Sequence, residues 1–258
     1  MQYGQIIPAG GSMNNEQIIN HTSHITFKVE TNISYDEERQ IDLLDKKASQ
    51  LIDFFNLSDV KVNIDVRGTS LKSFLSNATL EDIVLCSQAM ELPVVINRNL
   101  SGNITLDITL ALTANGYVPL TQRNSLTLSV QNNTLHSISV YAYSTNANLS
   151  NGLAQIQKNT LIRNQYTPVK NSNYLFLIVP VAQRVEIFYN NGVSNIIDQT
   201  EADIINDQNG RIGAVANNVL LSNFGLSFII PMIAVNEVRI HGIDEDNQVY
   251  YAIKNESL

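Results

Sequence analysis

Val60-Lys61-Val62-Asn63-Ile64-Asp65-Val66 puts four β-branched aliphatics on one side of an extended chain and Lys61, Asn63 and Asp65 on the other. Successive side chains of a strand point to opposite faces, so strict alternation of this kind is a half-buried β-strand. Downstream come Gly68, Leu71, the apolar pair Phe74-Leu75, and Thr79-Leu80-Glu81-Asp82-Ile83. A Thr followed by acids suits the first turn of a helix, whose free N–H groups accept a capping oxygen and whose dipole favours negative charge. About 121 to 124 residues later the same order returns as Val185-Glu186-Ile187-Phe188-Tyr189, Gly192, Ile196-Ile197 and Thr200-Glu201-Ala202-Asp203-Ile204. Any two β-rich segments share alternation. A strand, a glycine turn, an apolar pair and a Thr-initiated helix in one order, twice, read as an internal duplication.

Further alignment of the halves extends the repeat. Ile104 to Ile108 meets Leu226 to Ile230, after which each half closes on two strands: Leu126 to Val130 and Ile138 to Tyr143 in the first, Val238 to Ile240 and Val249 to Ile253 in the second. Ile25 to Val29 is another alternating run. The turns carry Asn-Gly, Asn-Asn and Asp-rich clusters, which reach positive φ or form Asx turns at little cost. Helical signals are few: Thr79 to Met90, Thr200 to Asn206, and Tyr35 to Phe55, where Ile41, Leu44, Ala48, Leu51 and Phe55 recur at spacings of three and four. These patterns predict an all-β chain of two tandem jelly-roll β-sandwiches with short inserted helices and an extended N-terminal arm. The expected division is an arm over 1–20, a first sandwich over 21–150 with a helix at about 35–55, and a second sandwich over 151–258. The boundary falls in the Asn-, Ser- and Gln-rich stretch Asn146 to Asn159.

Composition narrows the function. The chain has 258 residues, 44% hydrophobic and only 16% charged, against about 25% charged in ordinary soluble domains. It collapses readily, and Asn, Ser, Thr and Gln carry its polarity. A net charge of −8 without a basic run removes the electrostatic basis for nucleic-acid binding. Single Cys86 excludes an intramolecular disulfide framework and cysteine-based zinc modules, and fits synthesis in a reducing cytoplasm. The opening residues lack a basic then apolar leader pattern. The most apolar stretches, Tyr174 to Ala182 and Phe224 to Val235, fall short of the roughly 18 to 20 residues that cross a bilayer.

Two sandwiches of about eight strands, with the strand-glycine-helix unit present as Gly68 to Ile83 and again as Gly192 to Ile204, resemble the double jelly-roll major capsid proteins of tailless icosahedral bacteriophages, especially those with an internal membrane. The resemblance is architectural and covers Ile25 to Ile253. It implies a homotrimer of pseudo-hexameric outline that tiles an icosahedral shell, because three copies of two similar sandwiches give six similar corners. It further implies location in the virion after synthesis in the host cytoplasm, with other capsid or vertex proteins and an internal viral membrane as neighbours. A minor vertex protein of the same virus is an alternative, the connections being short, with Leu112 to Ser125 as the longest tower candidate in the first half. A carbohydrate-binding, adhesin-like pair of sandwiches is the reading from another class. It calls for exposed aromatics aligned for sugar stacking, whereas Trp is absent and the ten Tyr are scattered.

No catalytic, cofactor-binding or metal-ligating set is expected, and no enzyme. His21 and His24 stand three apart, a spacing that gathers two imidazoles on a helix but not on a strand. His136 and His241 sit in strand-turn contexts. The acidic turn Asp244-Glu245-Asp246 offers oxygens of the kind Ca²⁺ takes, without the rest of a calcium loop. The triplets at Asn77, Asn99 and Asn103 follow from composition, and Cys86 falls on the apolar side of its helix.

Overall fold

The computed structural model describes residues 3–34, 48–67, 71–90, 92, 94–114, 116–118, 120, 124–144, 150, 152–202, 214–216, 219–221 and 228–257. Positions 1–2 of the expected arm, 35–47 of the expected long helix, the Gly68 turn, 146–149 and 151 of the expected boundary, 203–206 of the third helix and 226–227 of the repeat lie outside the described residues.

The chain is an all-β protein. Its first half runs β1 (Tyr3–Ile7), β2 (Ser12–Ile18), β3 (His24–Ser34), α1 (Ala48–Phe55), β4 (Val60–Arg67), β5 (Leu71–Thr79), α2 (Leu80–Ala89), β6 (Val94–Arg98), β7 (Asn103–Ala111), β8 (Ser125–Asn132) and β9 (Ser137–Tyr143). The second half runs β10 (Gly152–Thr160), β11 (Tyr166–Lys170), β12 (Tyr174–Val179), β13 (Arg184–Tyr189), β14 (Ser194–Asp198), β15 (Ala214–Ala216), β16 (Val219–Leu221), β17 (Phe228–Pro231), β18 (Val235–His241) and β19 (Val249–Ser257). In the first half one sheet contains the order β1-β9-β3-β7 and faces a second of order β2-β8-β4-β5. In the second half the orders are β10-β19-β12-β17 and β11-β18-β13-β14. The two patterns are the same, strand for strand. The chain crosses between sheets at nearly every connection, which is the winding of a jelly roll.

Both quoted segments therefore hold the same topological place. The strands β4 and β13 sit at the same position, each flanked by the strand that follows it and by the one before last, β8 or β18. Val60, Val62, Ile64 and Val66 all point into the first core, as their alternation requires. In the second, Val185 and Ile187 do the same.

Three features differ from the sequence reading. Residues 3–20 of the expected arm are extended, as expected, but Tyr3–Ile7 and Ser12–Ile18 run as edge strands of the first sandwich, with Ile7, Met13 and Ile18 buried in its core. The alternation that would have revealed β2 is broken by a register shift between Met13 and Glu16, where Asn15 takes a φ of 52°. Next, β15 and β16 continue the first sheet beyond β6, with β15 parallel to β6, so strand pairing crosses the 150/151 division. Finally, the helix after β14 is capped by Asp198, not Thr200. The backbone N–H of Glu201 donates to Asp198 Oδ1 at 2.9 Å, and the Asp198 N–H donates to Glu201 Oε2 at 3.2 Å. Asp198-x-x-Glu201 and Thr200-x-x-Asp203 both spell a reciprocal cap, and strand β14 ends at the first. In α2 the expected cap is the observed one, Thr79 with Asp82.

Candidate functional site: the joint between the sandwiches

The second sandwich is docked on the first through the outer face of its β10-β19-β12-β17 sheet. Alternation along these strands sends Leu177, Val179, Tyr250, Ala252, Phe228 and Ile230 inward to the second core. It sends Ile156, Ile178, Ile229, Tyr251 and Ile253 outward, where they join the core of the first sandwich. A sheet buried on both faces shows no alternation in its sequence, which explains why Tyr174 to Ala182 and the stretch before Val235 read as continuous apolar runs. Each such isoleucine contributes about 1.5–3 kcal/mol on burial, an upper estimate, so the two halves are a single packed unit.

Polar groups fix the docking angle at the N-terminus of α2. Asp82 is 5% exposed. Its Oδ2 accepts from the Thr79 backbone N–H at 2.9 Å and from Lys158 Nζ of β10 at 2.8 Å, and its Oδ1 accepts from the Tyr251 hydroxyl of β19. One carboxylate thus caps a helix of the first sandwich and ties two strands of the second to it. Around it, Gln155 Nε2 donates to the Ser73 carbonyl at 2.7 Å and the Ala154 N–H to the Leu112 carbonyl at 2.9 Å. Burial, then the Asp82 charge, pushes the Tyr251 phenol far above its usual range, leaving it a fixed donor. The Cys86 thiol, buried on α2 as expected, is raised by the same two causes and stays protonated. A carboxylate with three donors and a thiol held neutral form a structural anchor and offer no free base or nucleophile.

The other candidate residues are scattered. His21 stacks on Tyr117 at 4.9 Å between centroids and His24 on Tyr143 at 5.7 Å, so the pair is not brought together. His136 lies beside the Asn132–Thr134 turn, and His241 stacks on Tyr166 at 4.6 Å. Asp244 and Asp246 hold Arg163, at 2.6 Å and 3.1 Å, which closes the acidic turn as an ion pair. Among the described residues no group of three His, Cys, Asp or Glu side chains is placed to hold a metal. The described part of the tower candidate folds back, with Thr22 paired to Val118 and the Ser150 N–H donating to the Tyr117 carbonyl.

The residues of the joint have positional counterparts in the first sandwich. Tyr251 lies between Lys158 and Ile178, and Ile178 faces Ile229. Tyr141 lies between Gly4 and Thr26, and Thr26 faces Thr109. Val140-Tyr141-Ala142 therefore matches Tyr250-Tyr251-Ala252, with Ala142 and Ala252 each in its own core. On the helix side, Glu201 holds the place in its cap that Asp82 holds in α2. None of this correspondence is visible by residue identity along the chain, because the joint pairs residues 169 positions apart.

Two jelly rolls of one strand order, docked sheet face to helix, define a double jelly-roll protein. No known protein family's sequence profile matches the chain. No curated protein sequence matches it. Among solved structures, the crystal structure of the STIV major capsid protein is similar over 100% of this chain and 97% of its own, with a TM-score of 0.53 and 10% identity. At that identity the likeness is one of fold.

Proposed function

We propose that this protein is a virus coat subunit, a double jelly roll that assembles as a pseudo-hexameric homotrimer and tiles an icosahedral shell. The observation that carries the reading is the repeat: two sandwiches with the same strand order, locked in a fixed mutual orientation by the Asp82 anchor, in a chain whose whole length shares its fold with a major capsid protein. Three such chains present six like corners, and closed homo-oligomers are the usual outcome for self-complementary surfaces. The work of a coat subunit is distributed over its interfaces, which agrees with a chain low in charge. On this reading it acts without catalysis, sits in the virion, and neighbours other capsid or vertex proteins and, at its inner surface, an internal membrane. The expected host is a bacterium, on the sequence resemblance alone.

Solution mass measurement tests the reading directly. A trimer or larger assembly is expected at micromolar concentration, with hexagonal or icosahedral arrays in electron micrographs. A protein that stays monomeric on concentration overturns it.

A further inference from the structure

The internal joint is a head-to-tail contact. It uses the outer β10-β19-β12-β17 face of the second sandwich and the β5–α2 flank of the first. Because both sandwiches have one strand order, each also carries a counterpart of the other half of the joint, exposed at Tyr141 and Ile6 on the first sandwich and at Val193 and Ile196 on the second. These counterparts are the outer β1-β9-β3-β7 face of the first sandwich, around Tyr141, and the β14 flank of the second, around Glu201.

Both unused halves show the marks of a covered surface. Tyr141 is 41% exposed and Ile6, two residues along β1 from Gly4, is 69% exposed. On the other side Val193 and Ile196 are each 56% exposed, beside the exposed Asp198–Glu201 cap. The ring of Tyr141 lies over Gly4, where a Cβ would approach its Cδ1 to 3.3 Å. Gly4 stands where Lys158 stands in the joint. The phenol is thereby held on the sheet face with its hydroxyl free of the lysine that accompanies Tyr251.

We propose that a second copy of this chain repeats the joint: the outer β1-β9-β3-β7 face of one copy docks on the β14 flank of the next, with Tyr141 donating to Glu201 as Tyr251 donates to Asp82. This deepens the coat-subunit reading and rests on it. A heterologous contact closes into a ring only when its rotation divides the circle. If every sandwich meets the next by one-sixth of a turn, three chains close, with three joints inside chains and three between them.

Mixing variants that each carry one added cysteine tests the contact. Tyr141→Cys and Glu201→Cys are prepared separately, mixed under exchange conditions and treated with a short bismaleimide; buried Cys86 does not react. Cross-linked dimer is expected from the mixture and not from either variant alone. In parallel, Tyr141→Asp is expected to weaken self-association at least tenfold while its far-ultraviolet circular dichroism and melting temperature stay close to the parent's. Combining it with Glu201→Arg is expected to restore association. If the parent is a trimer and Tyr141→Asp is an equally stable trimer with no cross-link in the mixture, this interface is wrong and the coat reading stands. A monomeric parent removes both.

Discussion

The outer faces of two equivalent sheets have opposite chemistry. On β12 and β17 the central positions are Ile178 and Ile229; on β3 and β7 the same positions are Thr26 and Thr109, whose hydroxyls lie 2.8 Å apart. Phe176 on β12 corresponds to His24 on β3, and Ile253 to Tyr143. One face is built to be covered permanently during folding, by its own chain. The other is polar: the Thr26–Thr109 hydroxyl pair and the Lys28–Glu30 ion pair lie on it, and beside them Thr105 Oγ1 and Asp107 Oδ1 are buried without a hydrogen-bond partner. Two sheets of one strand order thus carry different outer faces, and the apolar one is the face that the chain itself covers.

Substitutions at matched positions measure that difference. The largest effect is expected for Ile178→Asp, which places an unpaired carboxylate in the joint and should cost above about 4 kcal/mol, much of a domain's ordinary stability. Thr26→Asp at the matched position should cost about 1 kcal/mol by urea unfolding. Equal losses would remove the contrast. Next, Asp82→Ala deletes a cap and leaves Lys158 and Tyr251 without their acceptor. With Lys158 a third exposed, the loss is expected near the lower end of the range for broken buried pairs, about 3 kcal/mol. The matched Glu201→Ala removes an exposed half of a cap and should cost about 0.5–1 kcal/mol in the monomer.

The smallest effect is a slope with pH. Burial lowers the His24 pKa below 6.5, so the unfolded chain takes up this proton more readily than the folded one. Stability from this group is complete above about pH 6.5 and declines as acid passes below it. His24→Phe, the residue of the other face, should flatten the dependence of the denaturation midpoint between pH 7 and 5. An unchanged slope would assign the loss to other groups, of which His136 is shifted in the same sense.

Much of the fold is legible along the chain because each sandwich core is written in alternation. β4, β8 and β13 could be read from period alone, and Thr79 from its capping pattern. Where burial is two-sided, as in β12 and β17, the period vanishes and the strand reads only as an apolar run. Where a bulge shifts the register, as in β2, the strand looks like a polar arm. The second helix start was placed at Thr200 and lies two residues earlier, because Asp198 caps as well and strand β14 ends there. The Asp82 anchor had no local signature beyond its part in the cap. An acid at the third position of a helix, a lysine and a tyrosine in two later strands are individually ordinary, and only their convergence makes a joint.

The amino-acid sequence alone thus determined that this is an all-β chain of two related halves, because period-two patterning and turn chemistry are local and repeat in order. Which face of each sheet is covered, and by what, belongs to the tertiary structure. Covering is a relation between residues far apart in the chain, 76 positions for Lys158 and Asp82 and 169 for Tyr251 and Asp82, and no local pattern of polarity states its partner.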